Sequence, residues 1–129
     1  MKFTLDWLRD HLDTSENLNT ITDTLTNIGL EIESVEDKSE IFKNFTVAKV
    51  LKAEKHPDAD KLKVCQVETI NGNYQVVCGA PNVREGMLGI FAPEKSYIPG
   101  TDLHLKKTKI RGVESCGMLV SEREMGISD

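Results

Sequence analysis

Apolar residues near the start of the chain recur at the spacing of an α-helix. Three leucines share one helical face and predict a short first helix: Leu5, Leu8 and Leu12. Four further residues trace the face of a second predicted helix: Leu18, Ile21, Leu25 and Ile28. We expect Thr14 or Ser15 to cap its start, because hydroxyl oxygens accept hydrogen bonds from free helical N–H groups. Gly29 is expected to end it, because glycine readily adopts the left-handed conformation found after helices.

The pattern changes after the second helix. Residues 30–36 alternate imperfectly between apolar and polar and predict an irregular strand, whereas the polar residues 37–44 predict a linker. We therefore expect two domains, an incomplete helical domain over residues 1–42 and a β-rich domain over residues 43–129. The charges support this division, because the first carries 3 basic and 10 acidic residues and the second carries 13 basic and 11 acidic residues.

From Phe45 onward, short β-branched runs alternate with turn residues. Strands are predicted over six ranges: 47–53, 62–68, 74–78, 87–92, 103–109 and 117–120. Five or so short strands suit an OB-type barrel, so the pattern favours a mainly β fold, a five-stranded OB-fold barrel, with a small α+β piece at the amino terminus.

One hairpin of this barrel is predicted in detail. The Asn-Gly dipeptide at residues 71–72 is typical of a two-residue hairpin loop. A regular loop there would pair Val67 with Val76 and Cys65 with Cys78. The two thiols are then expected to be cross-strand neighbours.

Composition and motifs exclude several classes of function. No apolar run approaches the roughly 18 residues of a membrane span, and the start lacks a secretion signal, so we expect a soluble cytoplasmic protein without membrane contact. The 3 cysteines lack C-x-x-C spacing, which favours free thiols over disulfides or a zinc site. The sequence has no nucleotide-binding glycine loop and no nucleophile signature, so neither ATP binding nor catalysis is expected here.

One short cluster imitates a metal site. His56, Asp58 and Asp60 lie close together in the sequence. Sites for hard cations, however, usually draw on more oxygen ligands held in a shaped loop. Pro57 and the two aspartates instead favour a turn closed by side-chain hydrogen bonds, so no metal site is predicted.

Basic residues in the β-rich part suggest a nucleic-acid surface. Alternation along the predicted strand 103–109 would place Lys107, Lys109 and Arg111 on one face, with Lys106 opposite. Two lysines of an earlier strand share a face in the same way: Lys61 and Lys63. Such faces of an OB barrel track phosphates, although a solvated face without a ligand explains surface lysines equally well.

Aromatic residues are scarce in the same part of the chain: Phe45, Tyr74, Phe91 and Tyr97. Proteins that bind extended single strands stack bases on aromatic rings. The scarcity therefore favours recognition of the shape and backbone of a folded RNA.

Three segments resemble a known family. HPDADKLKVC at residues 56–65 and KIRGVESCGMLVS at residues 109–121 look like the two signatures of the tRNA-binding OB-fold family. VCGAPNV at residues 77–83 resembles the version found in the beta subunit of bacterial phenylalanine-tRNA ligases. LDWLR at residues 5–9 and IGLEIE at residues 28–33 are similar to the opening of that subunit. The chain is thus identified as an amino-terminal fragment of that family.

The resemblance implies a place in a larger enzyme. Enzymes of this family join phenylalanine to its tRNA with ATP and magnesium, as heterotetramers of two alpha and two beta subunits. By resemblance, aminoacylation belongs to the alpha subunit and editing to later parts of the beta subunit. We therefore expect no catalytic residue, metal or cofactor in this segment, and tRNA and the alpha subunit as partners.

Seven residues are predicted to contact tRNA: Lys61, Lys63, Asn82, Lys107, Lys109, Arg111 and Ser115. A structural role remains open for Ser115, Gly112 and Gly117, because glycines serve bends and serine hydroxyls satisfy backbone groups. Two other functions also remain open, a structural module that assembles the ligase and a free-standing tRNA-binding protein.

Overall fold

The computed structural model describes residues 1–128. The chain divides into two compact units, Met1–Asp37 and Lys38–Asp129. The second unit begins at Lys38, five residues before the predicted start of the β-rich domain at residue 43. Compact units are not domain boundaries in themselves, so the predicted boundary stays a prediction. None of the helices in residues 1–128 is long and apolar enough to cross a membrane.

The first unit contains the two predicted helices, α1 (Leu5–His11) and α2 (Leu18–Asn27). The prediction that Thr14 or Ser15 caps α2 was wrong. The cap is Asn17, whose side-chain oxygen accepts a hydrogen bond from the Thr20 amide at 3.0 Å. Thr14 lies too far from this start and instead accepts a hydrogen bond from the Glu16 amide at 3.1 Å.

Gly29 ends α2 as predicted. It adopts a φ of +98°, and its amide donates to the Thr26 carbonyl at 3.1 Å. The Leu30 amide donates to the Leu25 carbonyl at 2.8 Å. These two bonds form the Schellman arrangement, which satisfies carbonyls that the helix leaves free.

The strand predicted over residues 30–36 was wrong, since these residues have no regular secondary structure. The Leu30 amide and the Ile32 amide bond back to α2, the latter to the Thr26 hydroxyl at 3.4 Å. A strand needs a neighbour for its backbone groups, and the sheet formed by later residues does not include this segment. The predicted linker contains a short helix, α3 (Ser39–Phe42).

The second unit is built on one curled antiparallel sheet with five strands: β1 (Thr46–His56), β2 (Ala59–Thr69), β3 (Gly72–Cys78), β4 (Leu88–Ala92) and β9 (Met118–Val120). They lie in the order β3-β2-β1-β4-β9. Two small hairpins complete the unit, β5 (Tyr97–Ile98) with β6 (Leu103–His104) and β7 (Thr108–Ile110) with β8 (Val113–Ser115). The predicted fold class, a mainly β OB-type barrel, is confirmed.

The core lies against one face of this sheet. Its buried residues come from alternate positions of the strands and from one loop: Ala48, Val50, Cys65, Val67, Val76, Cys78, Val83 and Phe91. The Tyr74 ring stacks on the Phe91 ring with centroids 4.9 Å apart. Gly117, at a φ of +101°, passes so close that a Cβ would lie 2.7 Å from the Phe91 ring. Only glycine fits there without displacing the core.

The hairpin between β2 and β3 has a different register from the predicted one. Thr69 pairs with Gly72, so the loop is Ile70-Asn71, and Cys65 faces Val76 rather than Cys78. The Thr69 hydroxyl closes this loop, because it accepts from the Asn71 amide at 3.1 Å and donates to the Gly72 carbonyl at 2.9 Å.

The prediction of a single strand over residues 103–109 was also wrong. The structure has two short strands in this region, β6 and β7, which pair with different partners, β5 and β8. Lys107 precedes β7, and Arg111 lies in the turn beyond it with a φ of +48°. The single basic face inferred from strand alternation therefore does not exist in that form.

Candidate nucleic-acid interface

The two sequence signatures meet at His56, the last residue of β1. Its imidazole is buried, with 4% of the residue exposed, and it contacts both signatures. Nδ1 accepts a hydrogen bond from the Asp58 amide at 3.0 Å, and Nε2 lies 2.9 Å from the Ile110 carbonyl oxygen. Since Nδ1 is an acceptor, the neutral ring carries its hydrogen on Nε2 and donates it to Ile110. His56 thus fastens the β7–β8 hairpin to the β1–β2 turn.

Arg111 adds a second fastening at the hairpin tip. Arg111 and Gly112, with φ values of +48° and +85°, form the two-residue loop between β7 and β8. Positive φ at both positions is the requirement of a type I′ turn. The Arg111 guanidinium donates to the Asp58 carbonyl at 3.1 Å, while the residue remains exposed. Its cationic group is therefore held at a defined place on the surface.

Ser115 has a structural position inside this assembly. It is buried, and its hydroxyl accepts from the Val77 amide at 3.0 Å and lies 3.2 Å from the Gly117 carbonyl, to which it donates. The Gln75 side chain donates to the Glu114 carbonyl at 2.9 Å, and the Cys116 amide donates to the Gln75 carbonyl at 2.8 Å. These bonds attach β8 to the edge of β3.

Lys63 is also committed to the protein. Its ammonium donates to the Val83 carbonyl at 2.7 Å and so ties the loop after β3 to β2. Val83 itself is 1% exposed and fills the end of the core. Asn82 beside it is exposed, and its carbonyl accepts a weak 3.4 Å hydrogen bond from Arg84.

The basic residues near the β7–β8 hairpin differ in how free they are. The Lys107 ammonium pairs with the Glu114 carboxylate at 2.6 Å, and both side chains are about half exposed. This contact lowers the pKa of Glu114 and raises the pKa of Lys107. Within residues 1–128, the side chains of Lys109 and Lys61 are exposed and form no hydrogen bond or ion pair.

The predicted site residues therefore do not form one continuous patch on a single strand. Lys109 and Arg111 lie at the β7–β8 hairpin, whereas Lys61 is the third residue of β2. Sequence reasoning missed the fastening role of His56 and the neutralising role of Glu114. Neither had a local signal, because their partners are distant in sequence or separated by a turn.

The His56 cluster has the wrong donor arrangement for a metal. Both imidazole nitrogens are already engaged, and Asp58 contributes its backbone amide and carbonyl to the contacts described above. Among residues 1–128, no group of three or more His, Cys, Asp or Glu side chains converges as a metal site would require. These residues do not fit magnesium, so no magnesium or ATP chemistry is assigned to them.

The thiols are placed in the core and at its margin. Cys65 and Cys78 are buried and Cys116 is half-buried. Burial, reinforced by the neighbouring Cys78, raises the pKa of the Cys65 thiol to about 11. A thiol that stays protonated is a poor nucleophile, which fits a packing role.

Comparison with known proteins identifies the family. The family model described as "Putative tRNA binding domain" matches residues 45–129. The chain belongs to this tRNA-binding domain family. It is 56% identical over its whole length to the phenylalanine–tRNA ligase beta subunit of Mesorhizobium japonicum, and 55% identical to that of Brucella abortus. The chain spans 16% of the length of each. The family resemblance seen in the sequence signatures is confirmed.

Two solved structures are similar to the tRNA-binding domain. A MetRS related protein from Pyrococcus horikoshii is 31% identical, with a TM-score of 0.48 over 67% of this chain and 76% of that chain. An RNA ligase from Naegleria gruberi is 16% identical, with a TM-score of 0.53 over 64% of this chain and 29% of that chain. At this identity the RNA ligase shows a common fold alone.

Proposed function

We propose that this chain is the opening part of a phenylalanine–tRNA ligase beta subunit and serves it as an accessory tRNA-binding module. Support comes from the family match over residues 45–129 and from 56% identity along the whole chain to a beta subunit. In this proposal the parent enzyme is cytoplasmic, joins phenylalanine to tRNA with ATP and magnesium, and contains two alpha and two beta subunits. Those chemical steps take place outside this segment.

The observation that carries the RNA-binding part of the proposal is the fastening of the β7–β8 hairpin. Hydrogen bonds from His56 and Arg111 hold the hairpin on the β1–β2 turn, so Lys109 and Arg111 are presented on a supported element. Cations held in place lose less conformational entropy on binding than cations on free loops. A phosphate backbone is the ligand that such exposed cations recognise.

The seven predicted contacts divide into three groups in this proposal. Lys61, Lys109 and Arg111 contact phosphates directly, and Lys107 joins them once Glu114 releases it. Lys63 and Ser115 act indirectly, because their polar atoms hold Val83 and the edge of β3. Asn82 is exposed beside the Lys63 contact and serves as a neutral contact.

The test is the affinity of the protein for deacylated tRNA as a function of salt. We expect Lys109→Gln to weaken binding and to lower the salt slope by about one unit, the change for one lost phosphate contact. Lys49→Gln is the matched control, since Lys49 is an exposed lysine of β1 away from the hairpin. Equal affinities for both variants would contradict the contact assigned to Lys109.

A second function, a structural module that assembles the ligase, is favoured by a specific observation. Several cations are already occupied within the protein: Lys63 by Val83, Lys107 by Glu114 and Arg111 by Asp58. If the chain serves only as a structural module, the wild-type protein should bind no tRNA even at low salt. The same titration therefore separates the two functions.

A further inference from the structure

A groove at the β1–β2 end of the barrel has the charge of an anion site. This open groove has a volume of about 340 Å³, and its lining includes Lys55, Lys61 and Lys63 together with Asp60. The rest of its lining is uncharged and consists of Leu62 and the segment Gly79-Ala80-Pro81. Three ammonium groups and one carboxylate leave a positive balance in this small volume.

The strand register shows why these lysines converge. Lys55 of β1 is the direct antiparallel partner of Lys63 of β2, so both side chains rise from the same side of the sheet. Lys61 lies two residues before Lys63 on the same strand and lines the same groove. Like charges at directly opposite positions destabilise a sheet unless an anion compensates them.

The protein compensates this charge only weakly. The ion pairs of Lys43 with Glu40 and of Lys107 with Glu114 do not involve the groove. Lys63 is fixed by the Val83 carbonyl, an acceptor that leaves its charge in place. Lys55 and Lys61 are exposed and free to turn toward a ligand.

We propose that this groove binds a phosphate group of a polynucleotide backbone. The proposal rests on the proposed tRNA-binding function. It places the phosphate contact of Lys61 in this groove and adds Lys55 to it, beside the separate contact at the β7–β8 hairpin. No aromatic residue lines the groove, so it reads the backbone and not the bases. The Arg111 contact with Asp58, two residues before Asp60, joins groove and hairpin at the β1–β2 turn.

The experiment compares Lys55→Gln and Lys61→Gln with Lys52→Gln in the whole chain. Lys52 is an exposed lysine of the same strand as Lys55 and does not line the groove. Fluorescence anisotropy with labelled deacylated tRNA gives the affinity between 0.05 and roughly 0.5 M salt. We expect each groove variant to lose about eightfold in affinity near 0.1 M salt, with a salt slope lower by about 0.9. Lys52→Gln should behave as the wild type.

The outcomes distinguish the two proposals. If the wild type binds tRNA, Lys109→Gln weakens binding and the groove variants match Lys52→Gln, the groove proposal is overturned together with the phosphate contact assigned to Lys61. The proposed tRNA-binding function then stands on the β7–β8 hairpin. If the wild type binds no tRNA at low salt, both are overturned. A titration with inorganic phosphate separates a free anion from a polynucleotide: NMR shifts at Gly79 and Ala80 with phosphate, without any loss of tRNA affinity in Lys55→Gln, would assign the groove to small anions only.

Folding of the variants is checked independently. Removing the Lys55 charge takes away a like-charge cross-strand contact, so the thermal midpoint of Lys55→Gln should equal or exceed that of the wild type at low salt. A lowered midpoint would contradict the convergence of the two ammonium groups.

Discussion

The two units of the chain differ in how much core each contains. In residues 1–37 the buried apolar residue is Ile21, while Trp7 and Ile28 remain 55% and 67% exposed. In residues 38–128, ten apolar side chains are buried, and hydrogen bonds from His56, Lys63 and Ser115 tie the loops to the sheet. The barrel therefore has the buried core and the long-range hydrogen bonds that a stable domain needs, whereas the helical unit depends mainly on helix caps and local turns.

The two units also differ in net charge, and the unit with the larger core is the more basic one. Residues 1–37 carry 2 basic and 9 acidic residues, and residues 38–129 carry 14 basic and 12 acidic residues. The part with the larger core is also the part suited to a polyanion. The single tryptophan, Trp7, lies in the helical unit, so its fluorescence reports on that unit, while β-sheet circular dichroism reports on the barrel.

The largest expected effect comes from Gly117→Ala in the barrel. An added Cβ would meet the Ala92 carbonyl oxygen at 2.6 Å and the Phe91 ring at 2.7 Å, at a φ of +101°. Strain and overpacking together should lower the free energy of unfolding by about 3 kcal/mol or more. Urea unfolding followed by circular dichroism measures this loss, and the Trp7 signal should change little.

Gly112→Ala is the control for this substitution. Gly112 also has a positive φ, +85°, but a Cβ there would meet no atom within 4 Å. Only the backbone cost remains, about 1–2 kcal/mol. Equal losses for the two alanine variants would mean that the close approach to Phe91 is not what requires Gly117.

A smaller effect is expected for His56→Ala. This change removes the acceptor for the Asp58 amide and the donor to the Ile110 carbonyl, which should lower the free energy of unfolding by about 1–3 kcal/mol. Amide hydrogen exchange should speed up in β7 and β8 before it does so in β1 to β3. His104→Ala, at an exposed position, should stay within about 0.5 kcal/mol of the wild type.

His56 also shows which features the sequence could not reveal. The helical repeats, Gly29 and the positions of the main strands along the chain were predictable, because they depend on neighbours within a few residues. The contact between His56 and Ile110 spans 54 residues and depends on how two hairpins pack. The Asn-Gly rule failed for β2 and β3 because the Thr69 hydroxyl favours a loop one residue earlier. Lys63 looked like an RNA contact, since no local signal marks the Val83 carbonyl as its partner.

Ile21→Ala tests the helical unit alone. Ile21 is 8% exposed and is the buried apolar side chain of residues 1–37. Because the surrounding apolar residues are already partly solvated, the loss in that unit should be about 1 kcal/mol. The Trp7 fluorescence transition should move to lower urea, while the circular dichroism transition of the barrel stays in place. A parallel shift of both transitions would contradict the independence of the two cores.

Glu114→Gln should have the smallest effect on stability and a measurable effect on binding. Its ion pair with Lys107 is half exposed, and such pairs contribute little to folding. The substitution removes an anion from the barrel surface and releases the Lys107 ammonium, so tRNA affinity should rise, by up to about eightfold near 0.1 M salt if Lys107 then contacts one phosphate.

The same ion pair predicts how tRNA affinity depends on pH. Because the Lys107 contact lowers the pKa of Glu114, the carboxylate stays charged below its ordinary range, and the ion pair is lost only as pH falls through that lowered pKa. Acidification should therefore raise wild-type affinity toward that of Glu114→Gln, whose own affinity should change less over the same pH interval. An unchanged affinity in Glu114→Gln would indicate that Lys107 faces away from the RNA, and the basic character of the barrel would then rest on Lys61, Lys109 and Arg111.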